Sequence, residues 1–241
     1  MRVGLFVTCL VDLVRPRIGF AALELLEAAG CEVIAPPGQT CCGQPGWNSG
    51  DRASARALAE KLIAEFEAFD ALVVPSGSCA GMIKRHYAEL FAGEGAWLER
   101  CEALAAKTWE LADFLSRAAK PGTVPGRFSG SVTYHDSCSG LRELGVKAQP
   151  RELLARMPGV ELREMKDCET CCGFGGAFSV KFGEISAAVA DAKCERILDS
   201  GADAVVLGDL GCILNIEGRL RRRGEERIRV LHLAELLAGK A

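Results

Sequence analysis

Cys171-Cys172-Gly173-Phe174-Gly175-Gly176 has an earlier counterpart in this 241-residue chain, Cys41-Cys42-Gly43-Gln44-Pro45-Gly46, and the two together set its organisation. One cysteine stands well upstream of each adjacent pair and one well downstream. Cys9 precedes Cys41 by 32 positions and Cys138 precedes Cys171 by 33; Cys79 follows Cys42 by 37 and Cys212 follows Cys172 by 40. Eight of the twelve cysteines therefore fall into two frames of nearly equal spacing, the mark of a duplicated site.

The duplication extends beyond sulfur. Val3-Gly-Leu-Phe-Val-Thr-Cys9 answers Ser131-Val-Thr-Tyr-His-Asp-Ser-Cys138, and Gly30-Cys-Glu-Val33 answers Gly159-Val-Glu-Leu162. Ala71-Leu-Val-Val-Pro-Ser-Gly-Ser-Cys79 answers Ala204-Val-Val-Leu-Gly-Asp-Leu-Gly-Cys212, and Leu111-Ala-Asp-Phe-Leu115 answers Leu233-Ala-Glu-Leu-Leu237. Two repeats of about 120 residues fill the chain and match ordinary domain size. The expected domains are 1–122 and 127–241, joined by the linker Lys120-Pro-Gly-Thr-Val-Pro-Gly126.

Apolar residues make up 49% of the chain, enough for a packed core, and the formal net charge of −3 carries no polyanion-binding signature. Arg221-Arg222-Arg223 reads as a solvated helix end. No run of 18 apolar residues exists, and the start Met-Arg-Val-Gly-Leu-Phe-Val-Thr-Cys is too short and strand-like for a signal peptide. The expectation is a soluble, cytoplasmic protein without membrane insertion or nucleic-acid binding. In that setting, with a core that needs no disulfide staples, thiolates that bind metal are the favoured use of the cysteines.

Strand patterns fall at 2–8, 33–36 and 71–75, helical patterns at 16–29 and 51–69, and a Gly/Pro/Asn-rich loop at 36–50 carries the first cysteine pair. Residues 107–118 read as a further helix. After the linker the pattern restarts with strand 131–135, helix near 150–156, strand 160–165, helix 179–200, strand 204–208 and helix 211–223. Alternation of this kind predicts an α/β fold: two similar repeats, each a small parallel sheet flanked by helices, related by a pseudo-twofold axis. Cys9, Cys79, Cys138 and Cys212 each follow a predicted strand, at the carboxyl edge where open parallel sheets bind ligands. The paired cysteines need only fold over the same edge, where helix N-termini would stabilise thiolates.

Four thiolates suit structural zinc or an iron–sulfur cluster. Structural zinc usually takes ligands from compact knuckles, whereas here three separated segments contribute and two ligands are immediate neighbours with diverging side chains. That favours a cluster over zinc, with a redox-active disulfide third.

At these residues the chain resembles the cysteine-rich CCG domain, which occurs in heterodisulfide reductases, in the iron–sulfur subunits of glycolate oxidase and in anaerobic glycerol-3-phosphate dehydrogenases. The segments Cys41-Cys-Gly-Gln-Pro45, Val74-Pro-Ser-Gly-Ser-Cys79, His135-Asp-Ser-Cys138, Gly140-Leu-Arg-Glu-Leu-Gly145 and Cys171-Cys-Gly-Phe-Gly-Gly176 are most similar to the lactate-utilisation A branch. The resemblance covers nearly the whole chain. It implies an iron–sulfur cluster, of 4Fe-4S type, in each repeat, held by Cys9, Cys41, Cys42 and Cys79 and by Cys138, Cys171, Cys172 and Cys212. Zinc is the alternative. It further implies an electron-transfer component of a multi-protein system oxidising L-lactate to pyruvate, working with iron–sulfur or flavin subunits. The other readings are a zinc-stabilised non-redox scaffold and a redox subunit like those of heterodisulfide reductase or glycolate oxidase. The fuller family pattern ends each repeat in Cys-x-x-Cys; here Ser76 and Asp209 replace the first of that pair, either as helix caps or as oxygen ligands.

Beside the second frame, His135 and Asp136 are the candidate catalytic residues, where a titratable group could couple proton to electron transfer or bind lactate or pyruvate. A structural histidine bonded to the cysteine loop is the competing reading. Cys168 is a spare ligand or a half-buried thiol. Cys31, Cys101 and Cys194 read as small apolar residues. Arg15 and Arg142 could offset cluster charge or form surface ion pairs. Gly173, Gly175 and Gly176 match no dinucleotide fingerprint or P-loop and fit a close backbone approach to a cluster, with Trp47, Asn48 and Phe174 as cover.

Overall fold

A computed structural model describes residues 1–120 and 122–241; Pro121, inside the expected linker, lies outside the described residues. Eight short strands form two four-stranded sheets. The first contains β1 (Arg2–Leu5), β2 (Glu32–Ile34), β3 (Ala71–Val74) and β4 (Thr108–Glu110), in the order β2-β1-β3-β4. The second contains β5 (Gly130–Tyr134), β6 (Val160–Leu162), β7 (Ala204–Leu207) and β8 (Arg229–His232), in the order β6-β5-β7-β8. Every pairing is parallel, and the registers correspond: Val3 lies opposite Val33 and Ala71, Val132 opposite Leu162 and Ala204. All residues of β3 and β7 are buried, which explains why Ala71-Leu-Val-Val74 and Ala204-Val-Val-Leu207 are continuous apolar runs rather than alternating ones.

Two elements differ from the sequence reading. Residues 107–118 are not one helix: β4 comes first, then the helical turn Leu111–Asp113 and a π-helical stretch Phe114–Ala119. The sequence pattern does not show strand β8 either. Both edge strands are three or four residues long and run straight into a helix capped by their last residue. Glu110 accepts from the N–H groups of Ala112 and Asp113, at 2.7 and 3.1 Å. His232 Nδ1 accepts from Ala234 N at 3.1 Å in a capping box with Glu235. Strand and helix thus merge into one apolar block too short to show its change of period. The long helix expected over 179–200 is also divided, into Ala177–Lys181 and Gly183–Asp199.

The halves share their packing. The last helix of each leans on the first long helix of the other: Leu233–Leu237 packs on Arg17–Ala28, and Leu111–Asp113 with Phe114–Ala119 packs on Ala148–Ala155. One buried cluster therefore runs through both halves and includes Leu25, Leu26, Phe114, Leu115, Leu153, Leu154, Leu236 and Leu237. Polar links follow the same exchange. Fully buried Glu235 is paired by Arg15, Nε to Oε1 at 3.1 Å and Nη2 to Oε2 at 3.0 Å, and also by Arg17. Because His232 Nδ1 accepts, its Nε2–H donates to Pro75 O across the junction at 3.2 Å. Among the described residues no helix is long and apolar enough to cross a membrane.

Candidate metal centres

Each outer cysteine of a frame opens a helix at a strand's carboxyl end. Cys9 and Cys138 begin the helices Cys9–Val14 and Cys138–Leu144, after β1 and β5; Cys79 and Cys212 lie in the first turns of Gly77–Gly81 and Leu210–Arg222, after β3 and β7. These four helices meet in crossed pairs, Gly77–Gly81 against Cys138–Leu144 and Cys9–Val14 against Leu210–Arg222. Gly77 permits the first approach, since a Cβ there would lie 3.0 Å from Gly140 Cα. Both frames consequently sit at the junction of the halves.

The central cysteines arrive on loops shaped by their glycine. Gly43 and Gly173 adopt φ of +85° and +86°, in the left-handed region open to glycine. A Cβ on Gly43 would meet Ala55 O at 3.0 Å, and one on Gly173 would meet Ser186 O at 2.6 Å. The turn aims each glycine N–H back at the preceding sulfur, Gly43 N to Cys41 Sγ at 3.4 Å and Gly173 N to Cys171 Sγ at 3.3 Å. Tyr87 donates its hydroxyl to Cys42 O at 2.9 Å, and Asn215 Nδ2 donates to Cys172 O at 2.8 Å. Both loops are therefore held from the helical stretch that carries or follows the last cysteine of their own frame, Cys79 or Cys212.

The eight frame cysteines converge as two matching sets. In the first, neighbouring thiols are within hydrogen-bonding reach in the order Cys9, Cys41, Cys42, Cys79. In the second, the order is Cys138, Cys171, Cys172, Cys212. Spacing alone predicts that adjacent cysteines diverge; the glycine turn instead brings their sulfurs together. All twelve cysteines are free thiols. One group per set is held as the thiolate: the Cys42 and Cys9 thiols and the Gly43 N–H hold Cys41 down to about 3, and the Cys138 and Cys172 thiols hold Cys171 down to about 2. The hydrogen-bonded Cys9, Cys42, Cys138 and Cys172 are pushed well up, chiefly because each serves as donor to a thiolate and is desolvated. A set with one anion and several suppressed ionisations is what a multivalent cation would complete, releasing protons as it binds.

Ser76 and Asp209 settle as caps and as a joint between the sets. Ser76 Oγ accepts from Cys79 N at 3.5 Å and Asp209 Oδ1 from Gly211 N at 3.1 Å. Asp209 Oδ2 also accepts from Ser78 N at 2.9 Å and Ser76 Oγ at 3.1 Å, across the junction. Its carboxylate borders two cavities. The cavity beside the first set, of about 150 Å³, is lined by Cys9, Cys41, Cys42, Cys79, Leu210 and Phe174 among others. The one beside the second set, of about 290 Å³, reaches Cys138, Cys171, Cys172, Cys212, Trp47 and His86. Asn48 and Phe174 line both, in keeping with their expected place as cover.

The surroundings of the second set are the more polar. His135 is buried, and neither ring nitrogen makes a hydrogen bond of ordinary geometry, although the Cys168 carbonyl of the cysteine loop lies close enough to favour the protonated ring. A ring nitrogen, Cys172 Sγ and Cys212 Sγ all lie within 4.8 Å of one another. Burial, then the Lys193 cation, push this imidazole down to about 3, so it is neutral. Its counterpart Phe6 packs edge-on against Phe66, centroids 5.8 Å apart. Asp136 is engaged elsewhere, in a bidentate pair with Arg151 at 2.8 and 3.0 Å. Cys168 lies on that same side, 3.7 Å from Arg151 Nη2. Cys101 and Cys194 are buried and Cys31 half-buried; Arg15 forms the Glu235 pair, and Arg142 is exposed.

Sequence reasoning missed Lys193 and His86. Lys193 is 1% exposed, and its ammonium donates to Asp167 O at 3.1 Å and Cys168 O at 3.2 Å, fixing the approach to Cys171. Its signal was present, because Lys193 falls on the buried stripe with Ser186, Ala190 and Ile197. His86 stacks against Trp47, centroids 5.2 Å apart, with Nε2 3.5 Å from Glu143 Oε2 of the other half; no local pattern marks a contact made only in the tertiary fold.

A duplicated parallel α/β fold with a four-cysteine set at each carboxyl edge defines the class, and the cysteine-rich CCG domain model matches residues 3–84 and 132–217. The chain belongs to the CCG cysteine-rich domain family. It is 46% identical over 237 residues to "Lactate utilization protein A" of Geobacillus sp. (strain WCH70), covering 98% of this chain and 99% of that protein. It is 41% identical over 238 residues to "Lactate utilization protein A 2" of Bacillus cereus (strain Q1), covering 99% and 98%. Among solved structures, a hypothetical protein from Helicobacter pylori superposes with a TM-score of 0.63 at 12% identity. It covers all of this chain, which spans about half (49%) of that one, and it supports the fold alone.

Proposed function

We propose that this chain is an iron–sulfur electron-transfer component of a multi-protein system that oxidises L-lactate to pyruvate. Cys9, Cys41, Cys42 and Cys79 would hold one 4Fe-4S cluster, and Cys138, Cys171, Cys172 and Cys212 the other, in the expected domains 1–122 and 127–241. The convergence of eight sequence-distant thiols into two matching sets carries the reading, and the names of the relatives supply the pathway. Bound clusters would accept and pass on single electrons. The chain's own residues would keep the sulfurs ionised through the Gly43 and Gly173 N–H groups, exclude water with Phe174 and Trp47, and hold the two centres in register through Asp209. The larger cavity and the polar residues of the second set, His135 and Asp136 among them, favour that side for meeting lactate, pyruvate or a partner's flavin or iron–sulfur centre, with Asp136 positioning the loop through Arg151. The first set would relay electrons.

A second reading has its own observation. His135, Cys172 and Cys212 are close enough to close on one tetrahedral ion, as in a zinc-stabilised scaffold. Substitution tests the frames in either case. Replacing Cys41, Cys42, Cys171 or Cys172 by Ser lowers metal content, whereas Cys31→Ser and Cys101→Ser leave it unchanged. Equal loss in both groups would remove the basis for the assignment.

A further inference from the structure

We infer that His135 is a nitrogen ligand to the metal of the second set, so that the two centres differ in their donor atoms: sulfur alone in the first half, sulfur with one imidazole nitrogen in the second. The inference rests on the reading that the cysteine sets hold metal and concerns what else reaches it.

Three observations converge. The ring is almost fully buried, at 1% exposure, and neither nitrogen makes a hydrogen bond of ordinary geometry, the Cys168 carbonyl being close but poorly placed. A buried imidazole without a well-formed hydrogen bond forgoes stabilisation that a good partner would return, and an orphan of this kind points to a missing ligand. Cys172 Sγ and Cys212 Sγ stand within 4.8 Å of a ring nitrogen and of each other. Donors bound to one ion at about 2.0–2.3 Å cannot be further apart than twice that bond length, about 4–4.6 Å, so a metal centre held by Cys172 and Cys212 lies within reach of the ring nitrogen after little movement. The duplication then acts as an internal control. Residue 6, at the equivalent position, is phenylalanine, packed on Phe66 within the first half's apolar cluster. The rest of the frame repeats, sulfur for sulfur and glycine N–H for glycine N–H.

The remaining candidates near the ring are excluded by their own contacts. The Asp136 carboxylate is taken up by Arg151, the Lys193 ammonium by two backbone carbonyls, and Cys168 lies on the Arg151 side. A nitrogen donor beside the sulfurs makes the two centres unequal, and donor identity is one of the levers on reduction potential in iron–sulfur centres.

The test uses the full chain, reconstituted anaerobically with iron and sulfide and reduced, prepared once with natural-abundance and once with 15N-labelled histidine. Pulsed electron paramagnetic resonance should show a histidine nitrogen coupling of directly bound strength, altered by the label and lost in His135→Phe. That variant installs the residue the first half already tolerates. Redox titration should show one of the two midpoints shifted in His135→Phe and the other unchanged. The isotope comparison needs no variant, so a poorly folded His135→Phe does not rescue the inference. Iron and sulfide present with no histidine coupling in the wild-type protein would overturn His135 as a ligand and leave the cysteine centres standing. Failure to bind iron and sulfide at all would overturn both.

Discussion

Asp209 offers the sharpest separation between a metal ligand and a structural joint. Its buried carboxylate accepts three hydrogen bonds, from Gly211 N, Ser78 N and Ser76 Oγ, and two of them cross between the halves. Asp209→Asn keeps the shape but turns one acceptor into a donor facing an N–H. One buried N–H is orphaned, at about 1–3 kcal/mol, and the remaining bonds drop from charged to neutral strength, about 1 kcal/mol each. The variant should therefore lose about 3–5 kcal/mol of stability, measured by denaturant unfolding of the metal-free protein. Ser76→Ala removes one neutral donor and should lose about 1 kcal/mol. Because the two side chains touch, the double variant should fall short of the sum by at least about 0.5 kcal/mol. Metal content of folded Asp209→Asn, measured per chain, should equal wild type, since the carboxylate serves the Ser76–Ser78 turn rather than a metal. A loss under about 0.5 kcal/mol together with loss of one centre's metal would refute this account and make Asp209 an oxygen ligand.

Burial raises the Glu110 carboxyl to about 8 from 4.5, so the folded state holds a proton that the unfolded state releases above pH 4.5. Stability therefore falls as pH rises through that window, by at most about 5 kcal/mol, and Glu110→Gln should flatten the slope between about pH 5 and 8 in thermal melts. His232 has the opposite sign: burial lowers it to about 3, so stability is lost as pH falls below its ordinary 6.5, and His232→Gln should lessen acid sensitivity. Gly173→Ala forces a Cβ to 2.6 Å from Ser186 O at φ +86°; it should cost about 1–3 kcal/mol and reduce metal retention in the second set only. Unchanged melts and metal content in that variant would show that the CCG turn does not need its glycine.

The repeat, the parallel sheets and the placement of Cys9, Cys79, Cys138 and Cys212 at strand ends were legible because each is a local pattern. Buried central strands write continuous apolar runs, and a duplicated frame repeats its spacing. What was not legible depends on the junction. Strands β4 and β8 hide because Glu110 and His232 end a strand and cap a helix at once. The exchange of terminal helices is a consequence of tertiary packing, as is the His86–Glu143 approach across the halves. The sulfurs of adjacent cysteines meet because Gly43 and Gly173 turn the chain, whereas sequence spacing suggested divergence. Ser76 and Asp209 were visible as departures from a five-cysteine pattern, but their mutual hydrogen bond needed the fold. Lys193 was readable in principle, as a cation on an apolar stripe.

The central claim is that the two cysteine sets hold redox-active iron–sulfur centres, and iron and acid-labile sulfide counted per chain in anaerobically purified protein test it most directly. Two four-iron clusters predict roughly eight of each, falling to about half in Cys171→Ser with the other set retained. A colourless protein carrying zinc, or no metal, without sulfide would contradict it.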